Sequence, residues 1–380
     1  MEGGSLTAKG TLLEVVMKPR GELLFRTPTP FSLGGYAETQ PRPSEFGVAG
    51  MLRSATMDLA EERGTPQNVL EKIVGRGKEY TTYDFCWKLV GPYLMRGNGT
   101  VFYPIPFDVF VEGGEERRRL RLADWLIPQL EVVDGGLKEL LAPSAFKGES
   151  ARKEYWFASS KLMEEYLNGE NVFDESDVVR GESIYRRMTH PHVKLDREMK
   201  AVEIVEGEGM YFAVEKLALR EGWSFIAGVW LDGCEQPELD KVRDAFLDLN
   251  GRIARLGGEG GLVSLEVRES KSLLEAKVEE DAEIEGRVRL VLTASAVFGN
   301  GDKSSFLPGL SGVEGCACAR ALVGGWDYAA NKPKELRLGV APGSVYYLER
   351  IKLSVILDRV HVHPDYRNVL GSCLIAKRWL

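Results

Sequence analysis

The four histidines are the first residues whose type and spacing could do chemistry. They form two His-x-His pairs, His190 with His192 and His361 with His363. On a strand, such a spacing projects both rings to one face. A metal site needs at least one further ligand, and Cys316-Ala-Cys318 is too tightly spaced for a zinc knuckle. The sequence therefore predicts no metal site.

Familiar catalytic motifs are also missing. The chain contains no Gly-x-x-x-x-Gly-Lys-Ser/Thr, no Gly-x-Ser-x-Gly and no His-Glu-x-x-His. Acidic runs such as Glu279-Glu280-Asp281 have the pattern of a solvated surface. Hydrolase, kinase and dehydrogenase chemistry is not indicated. We predict no catalytic residues, no cofactor and no enzyme activity.

The most informative local feature is a glycine-rich run, Gly257-Gly258-Glu259-Gly260-Gly261. Glycines allow positive φ and close approach to a ligand, and successive N–H groups in such a turn can cradle phosphate oxygens. A helix C-cap followed by a loop is the plainer interpretation. A dinucleotide fold is disfavoured, because the predicted order is helix, glycine loop, strand.

A second feature joins an early strand to a helix. Arg26 follows Phe25, and Ser44 follows Pro43 and is placed to cap a helix. Apolar residues then recur at helical spacing until Gly64, a plausible helix end. A helix start attracts anions, and Arg26 and Arg53 could complete such a site. Surface arginines beside glycines used for tight packing are the plainer interpretation.

Other elements follow from periodicity. Apolar residues from Leu239 to Leu256 step by three and four, which predicts a helix over 238–256 ended by the glycine run. Asn98-Gly99 predicts a hairpin between Tyr93–Met95 and Val101–Tyr103. Each half of the chain has the order strand, helix, strands, helix, strand. That order is typical of a ferredoxin-like module, used here twice.

Composition sets the class of protein. The 380 residues are 44% hydrophobic and 28% charged, which is globular, and 42 glycines favour a strand-rich chain. No apolar stretch approaches a membrane span, and the first residues lack a signal-peptide pattern. Five scattered cysteines argue for a reducing cytoplasm and against a disulfide framework.

Net charge alone argues against a nucleic-acid binder, because it is −8. Its distribution is uneven. Residues 201–286 hold 9 Lys/Arg and 20 Asp/Glu, whereas residues 350–380 hold 6 and 2. A local cationic surface is therefore compatible with an acidic protein, and the acidic middle is either a solvated surface or a face for a protein partner.

These residues together resemble a known family, subunit three of the Cmr complex in the RAMP superfamily, part of the type III-B CRISPR RNA-guided effector. The resemblance runs collinearly over roughly residues 12–380. The matching segments are Phe25-Arg26, Pro30-Phe31, Pro43-Ser44, Gly47, Gly50-Met51-Leu52-Arg53, Gly91-Pro92-Tyr93-Leu94, Phe102 to Asp108, Tyr155-Trp156, Tyr166 to Gly169, Arg180-Gly181, Gly209-Met210-Tyr211, Leu256 to Glu259, Gly324-Gly325-Trp326-Asp327, Lys332-Pro333-Lys334 and Ala341 to Tyr346.

The resemblance implies an α+β fold of two ferredoxin-like (RRM-like) modules with antiparallel sheets and inserted hairpins, which we divide at 1–205 and 206–380. It implies a non-catalytic, cytoplasmic RNA-binding subunit that holds the 5′ handle of the CRISPR RNA, with target RNA nearby and no membrane. Its implied partners are the large palm-polymerase subunit and the backbone RAMP subunit, which it bridges. A projecting hairpin of the family corresponds to Tyr93–Tyr103 or to Ser183–Met210.

We expect the RNA on one shared patch. One departure from the family is that Gly260-Gly261 stand where typical members carry basic residues, so Arg252 and Arg255 are the substitutes. The expected RNA-binding residues are Arg26, Ser44, Arg53, Arg255, Gly257, Gly258, Glu259, Gly260 and Gly261, with Lys332, Lys334 and Arg337 as additions. Two alternatives remain: a stand-alone RAMP endoribonuclease that processes repeat RNA, and a nucleotide-binding enzyme built on the glycine run.

Overall fold

The computed structural model describes residues 11–28, 36–75, 85–112, 119–122, 149–150, 157–193, 195–196, 201–202, 204–205, 208–209, 211–277, 283–298, 313–327, 332–352 and 368–376. His361, His363 and Glu279-Glu280-Asp281 lie outside these ranges, so the predictions on them are not addressed. Among the helices of the described ranges, none has the length and apolar character needed to span a bilayer.

The helices are α1 (Glu45–Arg63), α2 (Gln67–Val74), α3 (Ser160–Leu167), α4 (Gly181–Ile184) and α5 (Gln236–Leu247). The strands up to α5 are β1 (Thr11–Pro19), β2 (Tyr36–Ala37), β3 (Trp87–Arg96), β4 (Val101–Pro104), β5 (Val109–Glu112), β6 (Arg119–Leu122), β7 (Glu149–Ser150), β8 (Phe157–Ser159), β9 (Val172–Phe173), β10 (Val178–Val179), β11 (Tyr185–Val193), β12 (Leu195–Asp196), β13 (Ala201–Val202), β14 (Ile204–Val205), β15 (Glu208–Gly209), β16 (Tyr211–Leu219) and β17 (Trp223–Leu231). Those after α5 are β18 (Ile253–Arg255), β19 (Leu262–Glu269), β20 (Glu283–Leu292), β21 (Val313–Ala317), β22 (Arg320–Val323), β23 (Trp326–Asp327), β24 (Lys332–Pro333), β25 (Arg337–Val340), β26 (Val345–Lys352) and β27 (Cys373–Ala376).

The largest sheet has eight strands in the order β10-β8-β4-β3-β17-β1-β19-β18. Each neighbouring pair is antiparallel. Within it, β1-α1-β3-β17-α5-β19 run in chain order while the strands lie in the order β19-β1-β17-β3. That is the ferredoxin-like arrangement, and the predicted α+β class with antiparallel sheets is confirmed.

This module draws strands from distant parts of the chain. β1 and β3 precede residue 205, whereas β17 and β19 follow it, and residues 97–222 stand between β3 and β17. The division at 205/206 stays a prediction. The glycine-rich run, expected in the second module, joins β18 to β19 at the edge of the large sheet.

Both faces of the large sheet are covered. Leu13, Val15 and Met17 of β1 lie in a core with α1, α2 and α5. Leu12 and Val16 alternate to the opposite face, where a second core contains α3 and residues of a four-stranded sheet ordered β21-β26-β20-β27. The side-chain alternation of a strand therefore explains both layers.

A buried polar cluster joins α3 to the four-stranded sheet. Asp108, fully buried, accepts hydrogen bonds from the hydroxyls of Tyr166 (2.9 and 3.0 Å) and Tyr347 (2.9 Å). The guanidinium of Arg289 lies 4.3 Å from the Tyr166 ring centre and donates to the Tyr166 carbonyl at 3.1 Å. Burial raises the pKa of Asp108, while Arg289 opposes that shift.

The two hairpin candidates differ in their surroundings. The predicted hairpin at Asn98-Gly99 is confirmed, with Leu94 opposite Phe102, and it lies inside the large sheet. Residues 185–193 and 211–219 instead pair along their whole length in a separate three-stranded sheet, β11-β16-β2. Of the two, only the second stands apart from the large sheet.

The prediction of a helix over 238–256 is wrong beyond Leu247. Asn250-Gly251 reverses the chain: Gly251 has φ +79° and donates its amide to the Leu265 carbonyl at 2.9 Å. Positive φ is a glycine conformation that ends helices. Ile253 and Leu256 continue the three-and-four spacing by coincidence, because they belong to β18 and the turn that follows it.

One disulfide joins Cys86 to Cys234, with the Cα atoms 5.7 Å apart. The scattered cysteines argue against disulfides, and this expectation is wrong for Cys86 and Cys234, which are 148 residues apart in the sequence. The sheet brings them together: Cys86 immediately precedes β3, and Cys234 follows β17, the strand paired with β3.

Glu275 is a buried carboxylate between the two sheets. Its oxygens accept the hydroxyls of Tyr93 (2.5 Å) and Tyr103 (3.3 Å), and Tyr93 also contacts the Thr293 hydroxyl at 2.7 Å. Burial disfavours the charged form and raises the pKa of Glu275 to about 7. The folded protein therefore holds this proton more tightly than the unfolded chain does.

We expect Glu275→Gln to remove a pH dependence of stability. Because the pKa is higher in the folded state, protonation of Glu275 favours the folded protein. This contribution is fully present below pH 4.5 and is lost as the pH rises through about 7. A shift of this size corresponds to about 3 kcal/mol in the free energy of unfolding. Urea unfolding from pH 5 to pH 8 should show wild type losing stability relative to the variant. Exposed Glu61→Gln is the control, and curves for wild type and Glu275→Gln that stay parallel would refute the assignment.

Candidate nucleic-acid interface

A small cleft of about 110 Å³ brings together four of the residues singled out in the sequence. Arg26, Ser44, Gly257 and Gly258 lie in its wall. The other lining residues are Leu24, Phe25, Gln40, Pro43, Gly47 and Leu256. Three separate chain segments therefore converge here: residues 24–26, the start of α1 and the glycine turn, which we define as residues 257–261.

Residues 24–26 connect the two sides of the cleft through backbone hydrogen bonds. The Leu24 carbonyl accepts the Gly258 amide at 2.8 Å, and the Phe25 carbonyl accepts the Gln40 amide at 2.8 Å. The Phe25 amide donates to the Thr39 hydroxyl at 3.0 Å. One short extended segment thus fixes both the glycine turn on one side and the approach to α1 on the other.

The start of α1 forms as the sequence predicts. Ser44 is the N-cap, and its hydroxyl accepts the Gly47 amide at 3.1 Å; Gly64, with φ +65°, ends the helix. The positive end of a 19-residue helix thus faces the cleft. Glu45, the acidic residue of this first turn, is buried and accepts from Arg42 Nη2 (3.0 Å) and the Ser295 amide (2.9 Å), so its charge is paired internally.

Glycine is required in the turn for reasons of space. A Cβ on Gly257, which has φ +83°, would lie 2.5 Å from the Leu24 carbonyl oxygen. A Cβ on Gly261 would lie 2.6 Å from the Leu256 carbonyl oxygen. A Cβ on Gly260 would meet nothing, although its φ is +73°. The turn is therefore a close approach of backbone to backbone rather than a helix cap.

The expected run of free amides is only partly present. Gly258 donates to Leu24, and Gly261 donates to the Gly258 carbonyl at 3.3 Å. For Gly257, Glu259 and Gly260, no internal acceptor of the amide is found among the described residues. The turn thus keeps three backbone amides that are not used in internal hydrogen bonds among the described residues.

Glu259 anchors the turn to the hairpin β11–β16. It is the non-glycine residue at positive φ (+53°) in the described chain, and its carboxylate lies 2.7 Å from Lys216 Nζ and 3.8 Å from His192 Nε2. Sequence reasoning missed Lys216, and treated His192 only as a metal ligand. Lys216 and His192 lie near Glu259 because of the register in which β16 pairs with β11, and no local sequence pattern predicts that register.

Arg53 does not join the cleft. It follows Ser44 by nine residues, which on a helix means about 13 Å along the axis and half a turn around it. Its side chain is 9% exposed, with the guanidinium 5.9 Å from the Phe85 ring centre. The structure therefore does not bring Arg53 to the helix start. Arg252, offered as a substitute, makes a two-point ion pair with Glu62 at 2.7 and 3.1 Å.

The remaining basic candidates are spread over the neighbouring surface. Arg255 is exposed on the edge strand β18, and it does not line the cleft. Lys334 reaches the first turn of α1, with Nζ 5.9 Å from the Phe46 ring centre. Lys332 is exposed on β24, and Arg337 pairs with Glu335 at 2.6 Å. Of these, Lys334 is the one that the fold brings to the helix start.

The two described histidines face acidic partners. His190 lies 2.6 Å from Glu22 and His192 faces Glu259, so both rings project to one side of β11 as the spacing predicts. Within the described ranges, no group of three or more His, Cys, Asp or Glu residues could hold a metal ion.

The amino-acid sequence matches the model of one known protein family. The model of the family described as CRISPR-associated protein (Cas_Cmr3) matches residues 15–353. No curated protein sequence matches the chain.

Solved structures of low similarity also align. A chain of a type III-B Cmr-beta complex bound to cognate target RNA and AMPPnP is 19% identical, with 91% of this chain and 87% of that chain covered and a TM-score of 0.48. A chain of the Csm3–Csm4 subcomplex of a type III-A complex is 13% identical, with 96% and 99% covered and a TM-score of 0.45.

The family match spans most of the chain and includes every segment of the cleft. It agrees with the ordered set of motifs, from Phe25-Arg26 through the glycine turn to the Gly324–Asp327 segment. The resemblance to RAMP-type subunit three is thereby confirmed, and the chain belongs to the Cas_Cmr3 family of CRISPR-associated proteins.

Proposed function

We propose that this chain is the non-catalytic RNA-binding subunit of a type III-B Cmr effector, and that the sugar–phosphate backbone of the CRISPR RNA handle passes the cleft. The observation that carries the proposal is the convergence of Arg26, the capped start of α1 and the glycine turn. Helix starts and exposed backbone amides both favour phosphate oxygens.

The electrostatics of the cleft suit this role despite the acidic chain. The exposed Arg26 lines the cleft, Lys334 reaches the same helix start, and the buried Glu45 is paired with Arg42. Arginine at such a position makes charge-assisted bonds to phosphate, and it can also stack on a splayed base. The acidic stretches of residues 201–286 then belong to protein contacts or to solvent.

The partners and location are part of the same proposal. The family resemblance implies that the subunit bridges the large palm-polymerase subunit and the backbone RAMP subunit, in the cytoplasm, with target RNA nearby. Relatives of the fold occur in a Cmr-beta complex bound to target RNA and in a Csm3–Csm4 subcomplex. Copurification of guide RNA with sister subunits is the direct test of the bridging role.

We expect Arg26→Ala and Lys334→Ala to weaken handle-RNA binding with a flatter salt dependence. Each lost phosphate contact should reduce the slope of log K against log salt by about 0.7 for a single strand. The loss should be nearly independent of sequence, because phosphates carry no base identity. The measurement is fluorescence anisotropy with repeat-derived RNA over a salt series.

Arg63→Ala is the matched control, because it removes one positive charge at the far end of α1, where Arg63 pairs with Asp248. Arg53→Ala should lower the melting temperature but leave the salt slope of the folded protein unchanged. Equal slopes for wild type, Arg26→Ala and Lys334→Ala would place the RNA elsewhere on the subunit.

We expect replacement of His190 and His192 by Asn to leave target-RNA cleavage by the assembled complex intact. Both rings face carboxylates, His190 that of Glu22 and His192 that of Glu259 in the glycine turn, and a structural role suffices for each contact. The same variant also tests the ribonuclease alternative. If wild type cleaves repeat RNA without metal and the variant does not, the chain is a ribonuclease. Loss of target cleavage with assembly unchanged would contradict a non-catalytic subunit.

A further inference from the structure

One face of the three-stranded sheet β11-β16-β2 leaves large side chains uncovered. Tyr36, Tyr211 and Val193 are 52%, 60% and 41% exposed, and Pro191 is exposed beside them. We define these four residues as the tyrosine face. Contiguous exposed apolar side chains are typical of a surface that binds a ligand or another molecule.

The strand register puts these residues on one side. Val193 pairs with Tyr211, Pro191 pairs with Ala213, and Ala213 also pairs with Tyr36 of the parallel strand β2. Directly paired residues share a face, and residues two apart along a strand do so as well. Tyr36 and Tyr211 are therefore diagonal neighbours, and the Lys216 side of the hairpin points the other way, towards Glu259.

The Tyr36 hydroxyl makes an internal hydrogen bond while the residue stays exposed. Its hydroxyl donates to Glu215 Oε1 at 3.0 Å. Glu215 is itself buried, and its other oxygen accepts from the Thr39 amide at 3.1 Å and from Arg187 Nη1 at 2.7 Å. This carboxylate is therefore an internal support with paired charge, and it holds the Tyr36 hydroxyl while the residue stays exposed.

The tyrosine face continues directly into the cleft. Two backbone hydrogen bonds join the segment from Tyr36 to Gln40 to residues 25–27. The Thr27 amide donates to the Glu38 carbonyl at 3.3 Å, and the Gln40 amide donates to the Phe25 carbonyl at 2.8 Å. Gln40 lines the cleft. Tyr36 precedes Gln40 by four residues, and an extended chain of that length spans about 13 Å. The exposed Tyr36 ring therefore lies close to the cleft on the same surface.

We infer that the tyrosine face is a stacking surface for unpaired bases of the RNA strand whose phosphates pass the cleft, an inference that rests on the proposed function. Aromatic rings bind bases in a sequence-tolerant way, because every base has a flat apolar face. The continuity with the cleft favours this ligand: phosphates held at Arg26 and the glycine turn leave the attached bases free to reach the neighbouring sheet.

The test compares base-bearing and abasic RNA on the full-length chain. The variants are Tyr36→Ala, Tyr211→Ala, the double variant and Tyr36→Phe, with Val172→Ala as an exposed apolar control on β9, in a different sheet. Affinity is measured by anisotropy with repeat-derived RNA and with an abasic ribose-phosphate oligomer of equal length. Thermal melting checks the fold of each variant.

We expect each alanine substitution to weaken binding of base-bearing RNA about tenfold. The salt slope and the affinity for the abasic oligomer should not change, and Tyr36→Phe and Val172→Ala should bind like wild type. If wild type binds RNA with an Arg26-dependent slope but the double variant binds equally well, the inference fails and the proposed function stands. If wild type binds no RNA, both fail. Unchanged RNA affinity with lost copurification of sister subunits would overturn the stacking role in favour of a protein contact.

Discussion

The hydrogen bond from the Gly258 amide to the Leu24 carbonyl, 2.8 Å long, is the contact on which the candidate site depends. It requires the backbone of the glycine turn to lie against residues 24–25 more closely than any side chain at Gly257 would permit. Through the same segment, Phe25 holds Gln40, and the chain then enters α1 at Ser44. Glu259, at the tip, extends the arrangement to Lys216 on the hairpin. A single backbone contact thus sets the relative positions of residues 24–26, the start of α1 and the glycine turn.

The two sheets are joined by polar groups as well as by apolar packing. Asp108 and Glu275 are both buried, and tyrosine hydroxyls supply hydrogen bonds to each. Buried carboxylates without partners would be costly, whereas these are satisfied from several elements at once. Such clusters favour one relative placement of the two sheets over a sliding apolar contact.

Local signals explain what the sequence could predict. Ser44 and Gly64 mark the ends of α1, and Asn98-Gly99 marks a hairpin, because capping and turn formation involve only adjacent residues. The convergence of Arg26, Ser44 and the glycine turn was expected from their shared chemistry. The helix over 238–256 was overextended because apolar spacing was given more weight than Asn250-Gly251. The burial of Arg53 and the role of Lys216 depend on tertiary contacts, and no alternation in the sequence reveals a strand order that joins β1 to β17 and β19.

That strand order has a consequence for synthesis on the ribosome. β1 is made first, yet both of its neighbours, β17 and β19, begin at Trp223 and Leu262. At about 5–20 residues per second, β1 waits some 10–50 seconds before its partners exist. Throughout that interval its apolar residues, from Leu12 to Met17, form an unpaired strand of the kind that invites aggregation. The nascent chain must therefore be shielded, by the early α1 and β3 or by a chaperone, until nearly three quarters of the protein has been made.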